Sequence, residues 1–117
     1  MANAERGEVE LAIGEERYTL RFSINAVAEI ETYLDLGINE ISALMQTGDF
    51  RVSRWRVMLW GALREFHSVS IEQAGEIMGR AGVPLIIDRL SAAMQAAFPE
   101  GKKENPPNAS LGAGSTS

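Results

Sequence analysis

The feature that most constrains this chain is a pair of alternating segments near its start, residues 8–13 and 18–22, which a glycine-containing turn separates. Alternation with a period of two places the apolar side chains on one face of a strand, so the pair predicts an antiparallel β-hairpin. Gly14 can adopt a positive φ without strain and is the expected turn residue. Because an isolated two-stranded sheet is only marginally stable in water, its apolar face has to pack against helices from the rest of the chain.

Five helices are predicted after the hairpin from apolar residues that recur at spacings of three and four. Ser23 is a suitable N-cap for the first helix, and Gly37 is a suitable stop for it. Ser70 and Gln73 fit a capping box at the start of the fourth helix. Pro84 suits the first turn of the fifth helix, because a proline there lacks only an amide that the helix would leave unbonded.

The second and third helices are predicted from the same signals. Asn39 is the expected N-cap of a short second helix that ends at Gly48. Ser53 is expected to cap a third helix over residues 54–67, whose apolar side chains cover nearly its whole circumference. A helix of this kind usually lies buried at the centre of a fold. The expected fold class is therefore α+β and mostly α, with an N-terminal β-hairpin packed on a bundle of about five short helices.

The domain organisation follows from length and local composition. A chain of 117 residues suits one domain with a modest core. We expect a flexible N-terminus over residues 1–6, a single hairpin-plus-helices domain over residues 7–99, and a disordered tail over residues 100–117. That last segment is rich in Gly, Pro, Ser and Asn and has one large apolar residue, Leu111, so burial cannot offset its ordering entropy.

Composition and charge exclude several classes of function. The chain has no cysteine, which removes disulfides and thiolate metal sites. It shows no secretory leader and no apolar run long enough to span a bilayer, so a cytoplasmic location and no membrane partner are expected. Residues 1–50 carry ten acids and three bases, a net charge of −7, whereas residues 51–99 carry four acids and six bases, a net charge of +2. The acidic half repels phosphate backbones, so no nucleic-acid partner is expected.

No motif for catalysis, for a cofactor or for a metal is present, so a non-enzymatic protein without cofactors is expected. His67 is the single histidine and would need a nucleophile and an orienting acid to act as a general base. It falls at the predicted end of the third helix, where a partly cationic imidazole would be compatible with the helix dipole.

Trp60 is the side chain that most suggests a binding surface. It lies about 140° around the third helix from Trp55, at ~100° per residue, so the two cannot face the same core. Either the helix is wholly enclosed, or Val57 and Trp60 stay partly exposed as an interface anchor. Arg56 and Arg64 would rim that surface, or they are ordinary solvated arginines. The predicted partner-binding residues are thus Val57, Trp60, Arg56 and Arg64.

The order of these elements and several short motifs resemble the gene-transfer-agent and phage tail assembly chaperone family, whose small members are encoded near the tail tape-measure gene. The resemblance covers about residues 6–98. Its motifs are RGEVEL at residues 6–11, YTLRF at residues 18–22, AVAEIE at residues 26–31, LWGAL at residues 59–63 and LSAAMQAAF at residues 90–98.

The resemblance implies a non-enzymatic tail assembly chaperone of a phage, prophage or gene transfer agent. Such a protein binds the tape-measure protein during tail morphogenesis in the bacterial host cytoplasm and is absent from the finished particle. The tail-tube subunit is a further possible partner, and a homo-oligomer is possible. Some descriptions of the family call it a tail tube protein, but a tube subunit is usually β-rich and this chain is mostly helical.

Two alternatives to the chaperone stay open. One is a structural tail component, either a tail tube or a minor tail protein, that is retained in the particle. The other is a small adaptor protein unrelated to phage.

Overall fold

A computed structural model describes residues 3–47 and 51–98 of the chain. It contains a short 3₁₀ turn (Ala4–Arg6), the strands β1 (Glu8–Ile13) and β2 (Glu16–Arg21), and the helices α1 (Ile24–Leu34), α2 (Ile38–Thr47), α3 (Val52–Leu63), α4 (Ile71–Ala81) and α5 (Val83–Ala97). The predicted fold class, a hairpin followed by five helices, is confirmed. The predicted tail over residues 100–117 and the predicted stop at Gly48 lie outside the described residues, and the predicted domain boundaries stay predictions.

The hairpin forms with Gly14 in its turn, but β2 runs over Glu16–Arg21 and not over residues 18–22, so the turn is shorter than predicted. β1 and β2 pair antiparallel with Ile13 opposite Glu16, so a two-residue turn joins them. Gly14, the first turn residue, has a φ of 58°, the left-handed conformation that glycine adopts without strain. Leu11 and Leu20 are fully buried on the inner face, where α5 packs on both strands and α3 packs on β2. The helices therefore cover the apolar face, as the marginal stability of a lone hairpin requires.

α3 is the central helix of the fold, as predicted. It packs against α1, α4, α5 and β2. More than half of its residues are buried: Trp55, Val57, Met58, Leu59, Gly61, Ala62 and Leu63. A helix enclosed on so many sides can be apolar around most of its circumference, which is the pattern that its sequence shows.

The predicted ends of α3 are wrong at both termini. Its N-cap is Arg51, whose backbone is extended and whose carbonyl accepts a hydrogen bond from the amide of Trp55, so Ser53 lies inside the first turn and caps nothing. The helix ends at Leu63 and not at residue 67. The amides of Phe66 and His67 both bond to the carbonyl of Leu63, which turns the chain away from the helix axis.

The boundary between α1 and α2 also differs from the prediction. Asp35, and not Gly37, takes the left-handed conformation that ends α1, with a φ of 56°. Aspartate tolerates this region because its short polar side chain can bond locally. Gly37 instead begins α2, because its carbonyl accepts from the amide of Ile41 and its own amide donates to Oε1 of Glu40 at 2.8 Å. The predicted N-cap, Asn39, is therefore already in the first turn of α2.

Three other predicted helix ends are confirmed. Oγ of Ser23 accepts the third amide of α1 at 3.1 Å. Ser70 and Gln73 form both halves of a capping box, at 2.8 and 3.0 Å. Gly82, with a φ of 92°, ends α4 and precedes α5, and Pro84 lies in the first turn of α5. Gly82 and Pro84 thus form the corner between the last two helices.

Candidate interaction surface

α1 and α3 approach each other closely at Gly61. A Cβ atom built on Gly61 would lie 2.5 Å from both Cδ1 and Cγ1 of Ile30 and 3.5 Å from the carbonyl oxygen of Ala26. Only a glycine leaves room for Ile30 at that position, and both residues are buried. We call this contact the glycine seam. It sets the spacing of the two helices and so the position of the side chains next to it.

The side chains beside the glycine seam form an exposed aromatic group. Trp60 is half-buried and meets Tyr33 edge to face, with ring centroids 5.1 Å apart and an interplanar angle of 68°. Tyr33 is 58% exposed, and Phe66 is 43% exposed. Trp60, Arg64 and Phe66 also line one cleft of about 450 Å³. We refer to Tyr33, Trp60, Arg64 and Phe66 together as the aromatic surface.

The structure separates the four residues that were predicted to bind a partner. Trp60 and Arg64 belong to the aromatic surface, but Val57 lies in the core with 8% exposure and has little surface to offer a partner. The side chain of Arg56 crosses α4, where a Cβ on Gly75 would lie 3.0 Å from its Cδ. Nε of Arg56 is buried and has no hydrogen-bond partner among the described residues. The binding role of these four residues stays a prediction.

Sequence reasoning missed two members of the aromatic surface. Helical periodicity alone puts Tyr33 beside the apolar face of α1 and Phe66 on the apolar face of a third helix that runs to residue 67. Tyr33 is exposed because it packs against Trp60, which itself lies at the surface, and not against the core. Phe66 is exposed because the helix ends at Leu63, so the helical phase no longer determines its direction. One signal was available in the sequence, since Gly61 interrupts an otherwise apolar helix next to Trp60.

His67 connects the aromatic surface to the hairpin. Its Nε2 accepts a hydrogen bond from the backbone amide of Thr19 at 2.9 Å, and its ring meets Tyr18 edge to face at 5.3 Å. A ring nitrogen that accepts carries no proton, so the imidazole is neutral. Burial lowers the pKa of His67, in agreement with this geometry. The ring also blocks the outer edge of β2.

The two helices that build the aromatic surface carry opposite charges. α1 has only acids, and α3 has only bases, within the helices and at their C-caps and N-caps. The acids are Glu29, Glu31 and Asp35, and the bases are Arg51, Arg54, Arg56 and Arg64. Glu65 follows Arg64 and forms an ion pair with Arg21 at 3.0 Å. Among these bases Arg64 lines the cleft beside Trp60, together with Glu65, and Arg56 lies against α4 instead.

A second polar cluster joins the hairpin to α4. Arg80 donates to Oε1 of Glu16 at 3.0 Å and to the hydroxyl of Tyr18 at 3.1 Å. The Arg80 guanidinium lowers the pKa of Glu16, and burial is the main cause that raises the pKa of Tyr18. A carboxylate held charged by an arginine is a poor general base, so this cluster serves as a clamp between two elements.

In the described parts of the chain, no group of three or more histidine, aspartate or glutamate side chains is arranged to hold a metal ion. Over the same ranges, residues 3–47 and 51–98, no helix has both the length and the apolar character that crossing a membrane requires.

The comparison with known families decides the family of the chain. The model of a family described as "Phage tail tube protein, GTA-gp10" matches residues 6–98. The chain belongs to this family. It is thus a tail protein of a phage or gene transfer agent, and the matched range contains both strands and all five helices. No curated protein and no solved structure matched the chain.

The family description corrects two functional expectations. The predicted tape-measure chaperone is wrong, because the matched family is a tail tube family and supports a structural tail component better. An adaptor unrelated to phage is excluded by the same match. The mostly helical fold does not count against membership of a tail tube family, because fold class alone does not determine function.

Proposed function

We propose that this protein is a structural component of the tail, a tail tube or minor tail protein that remains in the finished particle. The observation that carries the proposal is the family match over residues 6–98, which spans the folded body from the 3₁₀ turn to the end of α5. The role is non-enzymatic. The protein is made in the cytoplasm of the bacterial host and joins the tail there.

The aromatic surface supports a role in subunit contacts. Tyrosine, tryptophan and arginine are the side chains that most often carry binding energy at protein interfaces. Tyr33 and Trp60 project from helices that the glycine seam fixes relative to each other. A surface that is already formed in the free protein loses little conformational entropy when a partner binds.

The partners in this proposal are other tail proteins. Neighbouring subunits of the tail are the first of them, because a structural component has to contact its neighbours permanently. The tape-measure protein is a second candidate partner, because a chain enclosed by a tube contacts the subunits around it. Binding to the tape measure would here be a contact within the particle.

The test is the protein content of purified particles. Particles are washed at high salt, and the protein is quantified by mass spectrometry relative to the major tail proteins, with an abundant host cytosolic protein as the carry-over control. We expect several copies per particle, well above the carry-over level. A protein that is abundant in the lysate but falls to the carry-over level in washed particles would contradict the proposal.

A matched pair of variants tests the role of the aromatic surface in the particle. Tyr33→Asp places a charge on a side chain that is 58% exposed, so it should leave the fold intact and reduce incorporation. Ile24→Ala is the control, because Ile24 is 75% exposed on the same helix but lies at a different cleft. If both variants are folded and are incorporated equally, the aromatic surface does not contribute to assembly of the particle.

A further inference from the structure

We infer that the outer edge of β1 accepts an additional antiparallel strand, supplied by an extended, basic segment of a neighbouring tail protein. The inference rests on the proposed function, because it states how a structural subunit holds one of its neighbours. It is carried by the backbone of the hairpin, whose two edges differ.

The register of the hairpin determines which backbone groups of β1 face outward. In an antiparallel pair, residues that bond to the partner strand alternate with residues that direct their amide and carbonyl away from it. The amide of Glu8 bonds outside the sheet, to the carbonyl of Asn3. The amide of Thr19, which lies opposite Glu10, also bonds outside the sheet, to the ring of the histidine that follows α3. Glu8, Glu10 and Ala12 are therefore the outward positions of β1.

The outer edge of β2 is closed at its centre, whereas the outer edge of β1 is open there. On β2, the ring of His67 occupies the amide of Thr19. On β1, the 3₁₀ turn occupies only the amide of Glu8. The amides of Glu10 and Ala12 bond to none of the described residues, and both residues are exposed. An open edge of this kind is a template for an added strand, and main-chain hydrogen bonds then supply the affinity.

The inner face of β1 is incompletely covered next to this edge. Leu11, at the centre of the strand, is fully buried. Val9 and Ile13 lie on the same face on either side of it and are only half-buried, although they pack against the core. An added strand would place its own inward side chains beside Val9 and Ile13 and remove apolar surface from water. The partner segment is therefore expected to be apolar on one face.

The outer face of β1 selects the charge of the partner segment. Residues 8–15 contain three acids, Glu8, Glu10 and Glu15, and no base. The side chain of Glu10 is 43% exposed and forms an ion pair with Arg17 on β2 at 3.0 Å. A carboxylate can accept further hydrogen bonds beyond that pair. A lysine or arginine beside Glu10 on the added strand would form a favourable cross-strand pair, so the second face of the segment is expected to be basic.

The same acids argue against a second copy of this chain as the occupant. Because the edge of β2 is closed, the hairpin of a second copy could pair only through its own β1. That pairing would bring Glu8 and Glu10 of one copy beside the same two residues of the other, and like charges on neighbouring strands destabilise the pair. The edge therefore discriminates a basic neighbour from a copy of itself.

A synthetic peptide with the sequence of residues 16–22, ERYTLRF, is a suitable probe for the edge. It alternates between a face with arginines and an apolar face, and its first six residues pair with β1 in the folded protein. The labelled peptide is titrated with the full chain and followed by fluorescence anisotropy, and we expect saturable binding. Glu10→Lys should weaken binding roughly tenfold, because an attraction becomes a repulsion. Glu29→Lys, the same change at an exposed position of α1, should leave it unchanged.

Two methylated peptides identify the edge to which the probe binds. In antiparallel pairing on the outer edge of β1, the peptide bonds through the amide at its Thr19 position, since that side chain lies on the same face as Glu10. If the peptide instead replaced β2 of the protein, it would bond through the amide at its Leu20 position. N-methylation at the Thr19 position should therefore abolish binding, and N-methylation at the Leu20 position should be tolerated.

A matched pair of variants tests the edge in the particle. Ala12→Pro removes an outward amide and places a ring on the edge, but it breaks no bond between β1 and β2. Ala12→Val is the control, because valine suits an exposed strand position and keeps the amide. Circular dichroism establishes that both variants are folded. We expect Ala12→Pro to reduce incorporation into washed particles at least about tenfold and to abolish peptide binding, and Ala12→Val to change neither.

Several outcomes would overturn the inference. These are an unmodified peptide that does not bind, binding that is lost on methylation at Leu20 and not at Thr19, and a folded Ala12→Pro protein that binds the peptide as tightly as the native protein. If Ala12→Pro does not fold, the methylated peptides decide, because they leave the protein unchanged. The peptide measurement uses purified protein and tests the edge alone, whereas a native protein missing from washed particles would refute the proposed function.

Discussion

Two contacts between α1 and α3 lie one residue apart on α3 and have opposite character. At Gly61 the missing side chain lets Ile30 reach the helix backbone, and both residues are buried. At Trp60 a large ring meets Tyr33 edge to face, and both rings stay partly in contact with water. The size of the side chain at two adjacent positions of α3 thus decides which contact with α1 is buried in the core and which lies at the surface.

The largest effect on stability is expected at the glycine seam. In Gly61→Ala the new Cβ would lie 2.5 Å from two atoms of the buried Ile30, so α1 has to move or Ile30 has to leave its rotamer. We expect the free energy of unfolding to fall by about 2 kcal/mol, since overpacking outweighs the better helix propensity of alanine. Urea denaturation measures the change, and an unchanged stability would contradict the close approach.

Gly79→Ala is the matched control for that substitution. Gly79 lies in α4, and a Cβ built there meets nothing within 4 Å. The same chemical change should therefore raise the free energy of unfolding by roughly 0.5–1 kcal/mol, through helix propensity alone. If both substitutions changed the free energy of unfolding in the same direction, the prediction that only Gly61 lacks room for a Cβ would be wrong.

A smaller effect is expected at Trp60. Trp60→Ala removes a half-exposed ring and its edge-to-face partner, so we expect a loss of about 1 kcal/mol in the free energy of unfolding, well below the 3–5 kcal/mol of a fully buried tryptophan. A double-mutant cycle with Tyr33→Ala isolates the ring contact, which should contribute about 0.5–1 kcal/mol. A loss as large as that of a core residue would mean that the ring belongs to the core.

The smallest effect concerns the histidine that joins this region to the hairpin. The pKa of His67 is below its ordinary value of 6.5 because burial favours the neutral ring. The unfolded chain therefore binds more protons than the folded chain just below pH 6.5, and stability rises with pH across that interval and levels off above it. Glu16, whose pKa is below 4.5, loses its contribution only at lower pH, as its carboxylate becomes protonated.

The variant His67→Gln separates the two contributions. Its amide oxygen can still accept a bond from Thr19, but it does not titrate. Urea denaturation at a series of pH values should show that the slope between the lowered pKa of His67 and pH 6.5 is smaller in the variant than in the native protein. Identical slopes would mean that the hydrogen bond from Thr19 does not depend on the neutral ring.

The sequence predicted those parts of the fold that depend on near neighbours. The caps at Ser23 and Ser70 are made within three residues, and Gly14 is determined by its own turn. The end of α3 could not be predicted in this way, because His67 bonds to Thr19, 48 residues earlier in the chain. A contact of that separation exists only once the elements have packed.

The candidate surface could be predicted only in part, because it too combines local geometry with contacts between distant residues. The angle between Trp55 and Trp60 predicted correctly that they face different sides, because helical geometry is local. The partner ring of Tyr33 and the role of Gly61 depend on which helix packs against α3, and periodicity does not contain that information. The angle of Val57 around α3 left both burial and partial exposure open, and the packed neighbours of α3 decide for burial.

The packing of α5 on β1 has a consequence for synthesis on the ribosome. Gly7 lies against the backbone near the end of α5, where a Cβ would be 3.7 Å from Cα of Ala97. The first strand leaves the ribosome long before this helix, and until residue 97 has been translated and released α3 covers the apolar face of the hairpin only in part. We expect nascent chains that stop short of α5 to be the targets of chaperones and proteases, because only the completed fold hides Leu11 and Leu20.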